Sequence, residues 1–296
     1  MKVQLTALVL AALGVVGLAA TAAQAEGGPS NVKSAEAFGI IWEHGNGNAN
    51  GRGTKPQKNP NLSYHGGPVQ TGPTKVYPIY WGSSWTPSSD KIGGLDSFYQ
   101  GVGGSAYANT NTEYKNGAGS FVSTSVTWNG DVIDTSAAPS NAPPTSQILQ
   151  EVAKMYPTPD AGAYYPVYID QPRGNAGYCA WHSSGTINGV EVQFGFFFNL
   201  DNDFGCDPGS PYYGHSQGLA ALGNVSGHEL SEMLTDPQLN AWYDSSGSEN
   251  ADKCAWTFSG NPVLIGSSQW RIQGNWSNAA YIANSGYTRG GCIDAK

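Results

Sequence analysis

The run His228-Glu229-Leu230-Ser231-Glu232 places an imidazole and two carboxylates within five residues. On a helix, residues i and i+4 share a face. His228 and Glu232 can therefore grip one cation from one side, while Glu229 stands where it can polarise a bound water as general base. The pattern is H-E-x-x-E, whereas the zincin metal motif is H-E-x-x-H. Zinc accepts a carboxylate in the second position, and the extra negative charge shifts preference toward harder metals. One divalent metal is expected, Zn²⁺ first and Ca²⁺ as the alternative. A catalytic site needs a third protein ligand. Glu249 and Asp252, just ahead of Cys254, lead the candidates, because a disulfide there would hold them rigid. His182, close to Cys179, and Asp236, on the same helical stripe, are secondary candidates. The plainer alternative is an amphipathic surface helix whose polar stripe faces water.

Three further constellations compete. Gly214-His215-Ser216-Gln217-Gly218 fits the G-x-S-x-G nucleophile elbow, which needs a buried strand before the turn. Two Pro and two Gly in the preceding nine residues argue against that strand and favour a simple helix entry. Asp201, Asp203 and Asp207 could face Ca²⁺, but their spacing is not that of an EF-hand. Trp81, Trp85, Trp181, Trp242, Trp256, Trp270 and Trp276 lie near glycines and turns. They suit either core packing or stacking on sugar rings.

These residues need elements to hold them. At about 100° per residue, Ala221, Val225, Glu232 and Asp236 fall within about 80° of His228, and Glu229 near 100°. Leu219, Leu222, Ser226, Leu230, Met233 and Leu234 take the arc beyond, so a helix over about 218–235 has a greasy face beside a stripe of one imidazole and three carboxylates. Asp236-Pro237 closes it. Upstream, the pattern predicts a strand over Lys75 to Trp81 with an edge Pro78 and a helix carrying Ile92, Leu95, Phe98 and Val102. It then predicts an Asn129-Gly130 hairpin, a helix after Pro143-Pro144, a strand from Tyr164, and an Asn188-Gly189 hairpin leading into Val192 to Phe198. Short strands are expected near Val263–Ile265 and Trp270–Gln273. Strands and helices mix without regular alternation, which reads as one α+β domain.

Composition sets the compartment. Charged residues are only 12% of the 296, the net charge is −8, and no basic run exists. Nucleic acid is excluded as a partner, since neutralising phosphates takes clustered Lys and Arg. Lys2, the apolar run Leu8 to Ala20 and Ala23-Gln24-Ala25 read as a signal peptide over 1–25, so the mature chain is expected to be exported and to have no transmembrane segment. Residues 26–63 are Gly/Asn-rich and read as a flexible lead-in with one apolar patch at Phe38 to Trp42. Residues 64–296 form the folded domain. In an oxidising compartment the four cysteines make two disulfides. Sequence order favours Cys179–Cys206 and Cys254–Cys292 among three pairings.

Tyr64-His-Gly-Gly-Pro68, Thr71-Gly-Pro73, Ile79-Tyr-Trp-Gly82 and Trp85-Thr-Pro87 resemble the start of the EXORDIUM-like, or phosphate-induced protein, family. Cys179-Ala-Trp-His182, Gly227-His-Glu-Leu-Ser-Glu232, Asp236-Pro237, Asn240-Ala-Trp-Tyr243, Glu249, Asp252, Cys254 and Cys292 continue that resemblance in the family's order. It implies a secreted or cell-wall protein, linked in plants to cell expansion, and it places His182, His228, Glu229, Glu232, Glu249 and Asp252 at matching positions. The element order is also, by analogy, that of a zincin-like domain. Three functional expectations follow. The first is a secreted metal-dependent hydrolase or peptidase acting on extracellular peptide. The second is a non-enzymatic module binding cell-wall glycan or signalling outside the cell. The third is a serine hydrolase through Ser216.

Overall fold

The structure, a computed structural model, describes residues 31–45 and 59–296. The expected signal peptide lies outside them. No helix among the described residues is long and apolar enough to cross a membrane.

Among the described residues, nine strands form one mixed sheet. In chain order they are β1 (Val32–Ser34), β2 (Phe38–Trp42), β3 (Thr74–Val76), β4 (Ile79–Trp81), β5 (Val126–Trp128), β6 (Val132–Asp134), β7 (Tyr164–Pro172), β8 (Tyr178–Ile187) and β9 (Val190–Asn199). From one edge the rows run β1 with β2, β8, β9, β7, β3 with β4, then β5 with β6. β8 is antiparallel to β1, β2 and β9, while β9, β7 and the rows beyond are mutually parallel. β7 and β9 are buried almost throughout, as strands covered on both faces must be, and read as near-continuous apolar runs.

The two Asn-Gly signals have different outcomes. Asn188 (φ 52°) and Gly189 (φ 83°) turn β8 into β9, since two positive φ angles match the strand twist. Asn129-Gly130 makes no hairpin. β5 pairs in parallel with β3, and β6 in parallel with β4. Pro78 has no N–H for the ladder, so its row breaks there, and residues 129–131 bulge in the neighbouring row. The Asn129 amide donates to the Val76 carbonyl and the Val132 amide to that of Pro78. Pro78 therefore sits inside the sheet, contrary to the edge position expected.

The lead-in also differs from expectation. Residues 31–42 are β1 and β2, laid antiparallel along β8. The apolar patch at Phe38–Trp42 overrides the surrounding Gly/Asn composition because Ile41 reaches the core, where it is fully buried.

Three helices pack on this sheet: α1 (Asp90–Val102), α2 (Thr145–Met155) and α3 (Gln217–Thr235). α3 packs on α1, β8 and β9. The Ser216 hydroxyl caps it by accepting from the Leu219 amide at 3.2 Å, the usual role of serine at that position. Every residue from Gly218 to Thr235 is buried, so the polar stripe faces the interior and not water. Gly223 permits this. A Cβ there would stand 2.4 Å from the Trp270 ring, so only glycine lets the helix approach so closely.

The disulfides are Cys179–Cys206 and Cys254–Cys292. The first ties the start of β8 to the loop after β9. The second ties the short helical turn Asp252–Cys254 to the C-terminal ribbon at Cys292–Ile293, anchoring the segment that carries Glu249 and Asp252.

Candidate metal centre

Four pieces of chain converge beneath the β8 edge. α3 brings His228, Glu229 and Glu232, β8 brings His182, the disulfide-held turn brings Glu249 and Asp252, and β2 brings the backbone of Gly39. His182, His228, Glu229, Glu232 and Glu249 are fully buried. Two groups of three could hold an ion, and they share Glu232. On one side, His182 Nδ1 lies 3.1 Å from Glu229 Oε2 and 3.6 Å from Glu232 Oε2. On the other, His228 Nε2 lies 3.2 Å from Glu232 Oε1 and 3.7 Å from Asp252 Oδ1. Glu249 Oε2 stands behind the first imidazole, 3.7 Å from His182 Nε2. Ligand atoms about 2.0–2.2 Å from one zinc ion stand about 3.3–3.6 Å apart at tetrahedral angles, so both groups have the right size.

The electrostatics of the cluster would accommodate a cation. Among the described residues, the ion-pair partners found for these carboxyls are the two imidazoles. Burial pushes His182 down to about 3, and His228 down to about 4, so neither is cationic near neutral pH. Burial and mutual repulsion raise Glu229, Glu232 and Glu249 well above the usual carboxylate range. Asp252 rises to about 8 through burial and the neighbouring Glu232. Six buried atoms of this cluster have no hydrogen-bond partner: His182 Nε2, His228 Nε2, Glu229 Oε1, Glu232 Oε2 and both oxygens of Glu249. Unpaired buried polar atoms are costly, and so many in one cluster suit an ion.

Hydrogen bonds around the cluster separate the two imidazoles. Gln273 Nε2 donates to the Ala251 carbonyl at 2.9 Å, while its Oε1 accepts from the Trp256 amide at 3.1 Å. These two bonds fix the orientation of the amide, so Nε2 also donates to His228 Nδ1 at 2.9 Å. A neutral His228 must then carry its proton on Nε2, facing Glu232 and Asp252. A metal-binding histidine has the opposite arrangement, with the far nitrogen donating to a carboxylate or carbonyl. At His182 no donor occupies Nε2, which has no hydrogen-bond partner and faces Glu249 Oε2 at 3.7 Å, so that nitrogen is free to carry the proton.

The remaining predicted residues have other work. Asp236 Oδ1 accepts from the Asn240 and Ala241 amides at 2.6 and 2.7 Å and shapes the turn after α3. Ser216 Oγ donates to Asp90, and His228 lies about 18 Å along the helix at 1.5 Å per residue, so His228 cannot serve Ser216 as a base. Asp201 pairs with Lys91 and Asp203 with Arg173, which leaves no calcium cluster of the three. Trp81, Trp85, Trp181, Trp270 and Trp276 are buried in the core. Gln273 and Gly39 were missed by sequence reasoning. The only signal for Gly39 was the apolar patch around it, and Gln273 carried none.

Compared with known protein families, curated proteins and solved structures, the chain matches none.

Proposed function

We propose that the chain is a secreted metal-dependent hydrolase with a divergent zincin-like site. The observation that carries this reading is the convergence of two neutral imidazoles and several buried carboxyls whose free atoms lack partners. The two disulfides suit an extracellular setting, and the resemblance to EXORDIUM-like proteins points the same way. The sugar-stacking alternative has less support, since most of its tryptophans are core residues.

The hydrogen bond from Gln273 to His228 Nδ1 favours the other group of three as the holder of the ion. We place one divalent cation, Zn²⁺ before any harder metal, on the His182 side, with His182, Glu229 and Glu232 as ligands and Glu249 behind His182 Nε2. A cation bound there would lower the pKa of water and polarise a carbonyl. His228 keeps its Nε2 proton toward Glu232 and Asp252. The Asp252 side chain is 19% exposed, which lets it pass protons between His228 and solvent. Relative to the sequence reading, His228 moves from ligand to proton carrier, and Glu229 from base to ligand.

The test is elemental analysis of purified, zinc-supplemented protein together with hydrolysis of an amide or ester substrate. The reading expects about one equivalent of metal, lost in Glu232→Gln, and hydrolysis that stops on chelation. Metal-free wild type, or undiminished metal in Glu232→Gln, contradicts it.

A further inference from the structure

β1 and β2 run along β8 from the Val32–Ile187 pair to the Trp42–Tyr178 pair. β9 covers the other side of β8, so without residues 31–42 the sheet would end at β8 with an open antiparallel edge. The segment is fastened at Ala35 and at its far end. The Ala35 amide donates to the Ser184 carbonyl at 2.8 Å. At the far end Glu43 pairs with Arg173 at 2.6 Å, and the Trp42 carbonyl accepts from Trp256 Nε1 at 2.8 Å.

Between these anchors the register slips. Phe38 pairs with His182 but Ile41 with Ala180, so Gly39 and Ile40 bulge opposite Trp181. The bulge lowers backbone onto the cluster. A Cβ on Gly39 would stand 2.1 Å from Glu232 Oε2 and 2.3 Å from His182 Nδ1, and its φ of +49° is left-handed. Glycine is required twice over, by space and by conformation. The cluster therefore meets a peptide main chain. On either side, Phe38 packs edge-on to Tyr243 and Trp42 edge-on to Tyr178, with centroids 6.4 Å apart in each case. Strand addition of this kind takes affinity from backbone bonds and selectivity from alternate side chains.

We propose that the β8 edge above the cluster is a binding channel for an extended polypeptide, and that residues 31–45 of the chain fill it and exclude other peptides. The substrate class is thus a peptide strand with glycine over His182 and Glu232. Binding in the channel is independent of the metal-hydrolase reading; only cleavage of the bound peptide rests on it.

The test uses the full-length protein, a fluorescein-labelled peptide of sequence 31–45, and fluorescence anisotropy in chelator. Glu43→Arg sets two like charges together at the far anchor and leaves the cluster intact, while Gly39→Val forces the bulge off it. Both variants should bind the peptide at least tenfold more tightly than wild type. Deuterium exchange of the Tyr178–Ile187 amides should rise about tenfold in the variants and fall again when peptide is added. Equal binding by wild type and variants overturns the proposal. So does exchange along β8 that stays unchanged in both variants, or a freed edge that takes no peptide. If Gly39→Val fails to fold, Glu43→Arg decides alone. Peptide that binds but remains whole in zinc-loaded protein counts against the hydrolase reading and leaves the channel standing.

Discussion

Stripping the cation should make stability depend steeply on pH. In the metal-free cluster, burial raises Glu229, Glu232 and Glu249 well above their ordinary range and lifts Asp252 to about 8. The folded protein then holds protons that the unfolded chain releases. That contribution is complete below about pH 4 and is lost progressively as pH rises toward 8. A bound cation substitutes for the protons. At a free concentration 100 times its dissociation constant it restores about 2.7 kcal/mol. For a chain of this size each kcal/mol moves Tm by about 2–4 °C, so metal at pH 8 should raise Tm by about 5–10 °C. At pH 5 protons compete for the same oxygens and the gain should shrink. Tryptophan-fluorescence melts with and without chelator, at both pH values, measure this directly. A Tm indifferent to metal at pH 8, or a larger metal effect at pH 5, would refute the reasoning.

Other elements give independent tests. Glu151 is pushed up to about 7 by burial and its hydrogen bond with Asp134, so its share of stability is lost as pH rises from about 4.5 to 7. Denaturant titrations should show Glu151→Gln holding stability flatter than wild type across that window. Replacing Cys179 and Cys206 by alanine opens a loop with a sequence separation of 27; chain entropy puts the cost at about 3–4 kcal/mol, readable as a lower urea midpoint. Gly223→Leu drives a side chain into Trp270 and should cost about 1–3 kcal/mol, with the loss visible in the near-UV signal of that tryptophan.

The most legible parts of the sequence were those where local chemistry and periodicity agree. α3 was readable because its apolar arc and its His228–Glu232 spacing both require a helix, and Asp236-Pro237 ends it. The β8–β9 turn was readable because Asn188-Gly189 accepts the two positive φ angles needed. The same dipeptide at 129–130 misled because Pro78, fifty residues earlier, breaks the neighbouring row and demands a bulge. Composition hid β2: glycine and asparagine around it signal a linker, yet five residues with Ile41 among them suffice to pair with β8. The cluster membership of His182, Glu249 and Asp252 was within reach through their cysteines. The role of His228 was not, because it depends on the orientation of an amide at Gln273, 45 residues away in sequence.

Metal content of two single variants bears most directly on the account. Purified His182→Ala and His228→Ala would be loaded with zinc, dialysed and measured by elemental analysis beside wild type. The proton fixed on His228 Nε2 and the carboxylate behind His182 predict that His182→Ala loses the metal while His228→Ala keeps about one equivalent. Retention in His182→Ala with loss in His228→Ala would contradict the assignment, and metal-free protein throughout would contradict the metal site itself.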